Sequence, residues 1–114
     1  MKIVPLGGKN PLPVTNFGLG TAPLANDKAV TEADALATIQ AALENGIQLF
    51  DTAPLYGTGV GEERLGTALQ GVPRSSYKIS TKIGRLIKDD GSGCSFDYSR
   101  DGVLRSLESS LQRL

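Results

Sequence analysis

Asn45-Gly46-Ile47-Gln48-Leu49-Phe50-Asp51 is the stretch that decides the fold. Asn-Gly stops a helix, because glycine accepts the left-handed conformation that closes the last turn. A mostly apolar run over residues 47–50 follows at once, too short for a helix, and ends on a carboxylate. That pattern predicts a buried strand with Asp51 at its C-terminal tip. Upstream, Thr31-Glu32-Ala33-Asp34 sets a hydroxyl three residues before a carboxylate and approximates a capping box. Leu36, Ile39 and Leu43 then recur at spacings of three and four, on one helical face.

The same grammar extends both ways. Towards the N-terminus, apolar residues 3–6 and 12–14 flank Gly7-Gly8-Lys9-Asn10 and predict a hairpin. Pro5, Pro11 and Pro13 keep it at an edge, since proline cannot donate to a central ladder. Residues 16–20 predict a third short strand. Downstream, residues 62–70 carry Leu65, Ala68 and Leu69 on one helical face, with Gly71 and Pro73 as stop signals. Residues 77–83 alternate, setting Tyr77, Ile79, Thr81 and Ile83 against Lys78, Ser80 and Lys82. A Gly-, Ser- and Asp-rich loop is expected over residues 88–95. Ser99 caps a third helix with an apolar stripe of Val103, Leu104, Leu107, Leu111 and Leu114.

Strand and helix alternating three times define an α/β protein with a parallel sheet, its helices on one outer side. The expected fold is a partial (β/α)8 TIM barrel with an N-terminal β-hairpin and about three βα units. A whole barrel takes about 250 residues, so residues 1–114 read as the truncated N-terminal part of a single barrel domain.

Composition narrows the function. Twelve Lys and Arg balance twelve Asp and Glu, leaving no electrostatic footprint for nucleic acid or an anionic membrane. Nothing approaches the roughly 20 apolar residues of a membrane span, and the N-terminus lacks a signal-peptide pattern. A cytoplasmic protein is expected. Cys94 is the single cysteine and histidine is absent, which excludes the usual zinc sets and any Ser/His or Cys/His pair within the chain. Gly18-Leu19-Gly20-Thr21-Ala22-Pro23 and Gly57-Thr58-Gly59-Val60-Gly61-Glu62 lack the third glycine of a dinucleotide fingerprint and read as tight turns.

Asp51, Tyr56 and Lys82 carry the chemistry. Asp51 and Lys82 lie near the C-terminal ends of successive predicted strands, where barrel active sites gather. Lys82 falls on the face opposite Ile79 and Ile83, pointing inward, and an inward ammonium needs a partner such as Asp51. Tyr56, five residues past Asp51, swings back over the pair. A free phenol ionises near pH 10, a poor match for proton transfer at neutrality. A neighbouring ammonium stabilises the phenolate, and each tenfold gain in the anionic form amounts to about 1.4 kcal/mol. Spacing alone leaves a structural Asp–Lys pair beside a surface tyrosine as an equal alternative.

Gly46-Ile47-Gln48-Leu49-Phe50-Asp51-Thr52-Ala53-Pro54-Leu55-Tyr56-Gly57, then Glu62/Glu63 and Leu65-Gly66, then Ser80-Thr81-Lys82 together resemble the aldo-keto reductase superfamily. The segments from Gly18 to Leu24 and from Phe96 to Glu108 resemble its aldose 1-dehydrogenase branch, which includes D-threo-aldose (L-fucose), galactose and pyridoxal dehydrogenase-like members. The resemblance implies NADP or NAD bound across the C-terminal mouth of the barrel and a sugar or similar carbonyl as substrate. It matches Asp51, Tyr56 and Lys82 to three members of a catalytic tetrad, with Tyr56 as the proton donor or acceptor. The fourth member, a histidine, lies at the end of the family's fourth strand, beyond this chain. Gly20, Thr21 and Ala22, with Asp51, match the segment beside the nicotinamide. Leu24, Leu55 and Arg85 fall where substrate loops are expected, and Gly61 replaces a serine that caps the next helix in many members. The expected function is hydride transfer between a nicotinamide and an aldose C1 or similar carbonyl in the complete protein, with the 114-residue chain inactive alone. The alternative is a non-catalytic half-barrel, pairing with its missing half or a second copy through the open sheet edge at Ile79 and Ile83.

Overall fold

A computed structural model describes residues 1–114. The chain runs through β1 (Ile3–Leu6), β2 (Leu12–Thr15), β3 (Gly18–Gly20), α1 (Glu32–Glu44), β4 (Leu49–Asp51), α2 (Val60–Ala68), β5 (Lys78–Ser80), β6 (Arg85–Ile87), β7 (Cys94–Phe96) and α3 (Arg100–Arg113). The joint between α1 and β4 closes as its residues dictate. Thr31 accepts the Asp34 N–H at 3.1 Å and donates its hydroxyl to Asp34 Oδ2 at 2.7 Å. At the far end Gly46 adopts φ +81°. Its N–H donates to Leu43 O, and the Ile47 N–H donates to Ala42 O. Those two bonds make a Schellman stop, after which the chain can only leave as a strand.

Three strands form a parallel sheet in the order β3-β4-β5, with Gly20 opposite Asp51 and Asp51 opposite Ser80. Backbone bonds carry the register one residue further, from Thr21 N–H to Asp51 O and from Thr52 N–H to Ser80 O. The C-terminal tips of the strands therefore lie in one row. β1 and β2 form a separate antiparallel hairpin with Pro5 opposite Pro13, and β6 pairs antiparallel with β7. The arc does not close: β3 and β5 are its outer strands.

The core lies between the sheet and the first two helices. Phe50 of β4 shares one cluster with Ala35, Ile39 and Ala42 of α1, Leu65 of α2, Leu69 just after it, and Leu24 and Tyr77 from the loops. Burying a side chain the size of Phe50 contributes about 1.5–3 kcal/mol. Only 24 of the 114 residues are buried, and the molecule is a slab of 41 × 39 × 22 Å. An open arc with a small core is the result. None of the helices is long and apolar enough to cross a membrane.

Four sequence expectations change. The strand expected over 47–50 lies at Leu49–Asp51, because the Ile47 N–H still belongs to the helix stop and the Gln48 N–H donates to Thr15 Oγ1. The strand expected over 77–83 ends at Ser80, opposite the last residue of β4, so Lys82 reaches the site from the following loop. The loop expected over 88–95 belongs to a hairpin whose second strand takes in Cys94 and Ser95, a pairing too short to show alternation. In α3 the expected stripe splits: Leu104, Leu107 and Leu111 are exposed, Val103 is half-buried and Leu114 packs against the core, while Gly102, Ser106 and Ser110 are buried. Small residues let this helix dock on backbone, where Ser106 Oγ accepts the Gly84 N–H at 3.1 Å.

Candidate active site

Each tip of the parallel sheet contributes to one surface. Asp51 is the last residue of β4, Tyr56 sits in the turn leading to α2, and Lys82 lies two residues past β5. Lys82 Nζ donates to Asp51 Oδ1 at 2.5 Å and to Thr52 O at 3.0 Å. The same ammonium stands 5.4 Å from the centre of the Tyr56 ring, within cation–π range. Asp51 and Lys82 are each 45% exposed. Water screens such a pair, so its worth lies in aiming the ammonium rather than in stability.

Tyr56 and Lys82 line a cleft of about 260 Å³ with Leu55, Ile83, Arg85 and Tyr98. Arg85 and Tyr98 come from opposite sides of the β6–β7 hairpin. The Arg85 guanidinium rests 4.6 Å over the Phe96 ring, and Phe96 stacks on Tyr98 with centroids 6.1 Å apart. A mostly apolar cleft with two cations, Lys82 and Arg85, and two phenols, Tyr56 and Tyr98, on its walls has the make-up of a small-molecule site.

Other residues expected at the site divide. Leu55 and Arg85 lie on the cleft wall. Leu24 does not: its side chain packs in the core, and its carbonyl accepts from Arg64 Nη1. Thr21 is fully buried and donates its hydroxyl to Thr52 Oγ1 at 2.8 Å, tying two strand tips together. Gly20 is exposed, and a Cβ added there would meet no atom within 4 Å. The tip of β3 beside Asp51 is thus bare and open. The helix cap expected at Gly61 lies two residues earlier: α2 begins at Val60, with Gly59 at the cap position, no side-chain cap bond, and Gly61 buried inside the helix.

Three contributors escape a reading of the sequence. Tyr98 closes the cleft from the hairpin that periodicity missed. Arg64 is buried and bonds Leu24 O, Val30 O and Asp27 Oδ1, pinning the loop after β3. Glu62 is buried with Arg113 as its ion-pair partner. Glu62 stood in the stretch that carries the family resemblance with no role assigned to it, and a charged residue within the helix was the only signal for Arg64.

Residues 16–114 match the Aldo/keto reductase family, and the chain belongs to this family of NAD(P)-dependent oxidoreductases. It is 40% identical to pyridoxal 4-dehydrogenase of Microbacterium luteolum, over 94% of this chain and 38% of that protein. It is likewise 40% identical to L-galactose dehydrogenase of Arabidopsis thaliana, over 94% of this chain and 33% of that protein. Among solved structures, the holo form of aldo-keto reductase AKR11C1 from Bacillus halodurans matches with a TM-score of 0.86 and 33% identity, over 100% of this chain and 36% of the other. The chain spans less than two fifths of the length of these relatives.

Proposed function

We propose that this chain supplies the proton-transfer half of an NAD(P)-dependent dehydrogenase acting at the C1 of an aldose or at a similar carbonyl. One observation carries the reading: a lysine ammonium is held by Asp51 over the ring of a tyrosine that lines an apolar cleft. In oxidation, Tyr56 takes the proton of the substrate hydroxyl; in reduction it gives a proton to the carbonyl oxygen. Lys82 stands over the ring of the tyrosine through which the proton passes, and Asp51 keeps the ammonium aimed. Gly20, Ala22 and Asp51 hold the nicotinamide end of NADP or NAD, which when bound accepts or supplies the hydride. Leu55 and Arg85 bound the substrate, and Tyr98 adds an aromatic wall on which an apolar sugar face can rest. The sugar reading draws on the similarity to L-galactose dehydrogenase.

Turnover of a panel of aldoses with NAD+ and NADP+ by the complete protein, followed by reduced-nicotinamide absorbance, tests the proposal. Tyr56→Phe is expected to lower kcat by at least about a hundredfold, with circular dichroism unchanged. A Tyr56→Phe protein that turns over at the parent rate refutes it.

A further inference from the structure

Glu62 stands in the first turn of α2 and is 0% exposed. A buried carboxylate without partners is very costly, and here both oxygens are engaged. Oε2 accepts from Arg113 Nε at 2.6 Å, and Oε1 accepts from the Thr81 hydroxyl at 2.6 Å. Arg113 comes from the far end of α3. It is brought in where α2 and α3 cross so closely that a Cβ on Gly66 would run into the Arg113 carbonyl. Thr81 is the residue immediately before Lys82. The carboxylate thus joins α2, α3 and the loop that delivers the site's ammonium.

We propose that Glu62 is a positioning residue for Lys82. Held by Arg113, its carboxylate fixes Thr81 and with it the direction in which the next side chain leaves the backbone. Lys82 is a long flexible side chain whose tip rests on Asp51 Oδ1 and Thr52 O. With root and tip both held, the ammonium stays over the Tyr56 ring. With the root released, a half-exposed ammonium trades those bonds for water. An ion pair serving stability alone is complete with Arg113; the second oxygen on Thr81 is what ties it to the site. The inference rests on the reading of Tyr56 and Lys82 as the proton-transfer pair.

Lysines of the protein are reductively 13C-dimethylated, which keeps their charge, and the Lys82 resonance is assigned by its loss in Lys82→Arg. Thr81→Val removes the hydroxyl and leaves the Glu62–Arg113 pair; Thr81→Ser keeps the hydroxyl. The Lys82 resonance is expected to move towards that of a free surface lysine in Thr81→Val, to return in Thr81→Ser, and to leave Lys78 unmoved. In the complete protein carrying the same substitution kcat falls about tenfold, as expected for a misplaced catalytic group, with KM for the nucleotide unchanged. Should Thr81→Val fail to fold, Glu62→Met/Arg113→Met removes the acceptor and exchanges the ion pair for apolar volume, a replacement often neutral for stability; the same movement of the resonance is expected. A Lys82 resonance unmoved in either folded variant overturns the proposal. A complete parent protein without NAD(P)-dependent turnover refutes the reaction, while the resonance still decides the positioning role. Turnover lost in Tyr56→Phe beside a Lys82 signal blind to Thr81 refutes the positioning role alone.

Discussion

Asp97 shows how a single side chain sets up the wall of the cleft. Its Oδ1 accepts the Ser99 N–H at 3.0 Å and its Oδ2 accepts from Arg105 Nη2 at 2.8 Å, just where β7 turns into α3. Bonding to Ser99, foremost, and the charge of Arg105 hold its carboxyl below the usual aspartate value of 3.8. A carboxyl whose folded value is depressed stabilises the fold fully above its unfolded value, and that contribution is lost as pH falls through the folded value. The α3 N-terminus should therefore loosen only below about pH 4. Carboxyl-detected NMR titration is expected to give Asp97 a midpoint below that of the urea-unfolded chain, and Ser99→Ala should raise it. Equal midpoints in folded and unfolded chain would remove this account of the turn.

Helices α2 and α3 bury their residues by opposite means. Leu65 of α2 is 0% exposed inside the core cluster, whereas Leu107 of α3 is 41% exposed on the outer face. Leu65→Ala is expected to cost about 2–5 kcal/mol, from lost transfer energy and the cavity left behind. Leu107→Ala should stay within about 0.5 kcal/mol, as surface substitutions do. Urea unfolding of the two variants measures both, and a Leu107→Ala loss as large as that of Leu65→Ala would return the leucine stripe to the core. In α3 the 3.6-residue period admits both Leu104-Leu107-Leu111 and Gly102-Ser106-Ser110 as faces. The backbone at Gly84 and Arg85 offers hydrogen bonds that only the serine face can use, with Ser106 Oγ 3.1 Å from the Gly84 N and 3.4 Å from Arg85 O.

At the scale of the whole molecule, a slab with a small core has a steep gradient of protection. β4 pairs on both sides and carries fully buried Phe50, while every residue of β1 and the first two of β2 are exposed. Amides open with free energies from near zero at frayed, solvated elements to the global value in central strands. Hydrogen exchange is expected to be slowest at Phe50 and Asp51, and at least about a hundredfold faster across the β1–β2 hairpin. Uniform protection over both would mean the hairpin is packed as firmly as the sheet. The same openness explains the site: Asp51 and Lys82 stay 45% exposed because the tip of β4 and the loop after β5 lie at one open rim.

Asp51, Tyr56 and Lys82 were singled out by resemblance, spacing alone leaving an equal alternative, and folding brings Lys82 to Asp51 across 31 positions. The parallel α/β architecture, the cap at Thr31 and the stop at Gly46 were legible in the sequence. Each is written in local spacing or residue chemistry, which a chain carries with it wherever it folds. Leu24 in the core, Tyr98 on the cleft, the outward leucines of α3 and the bond from Glu62 to Thr81 were decided by tertiary structure. Those features depend on which of two equally periodic faces meets a partner, and on residues up to 51 positions apart that only packing brings together.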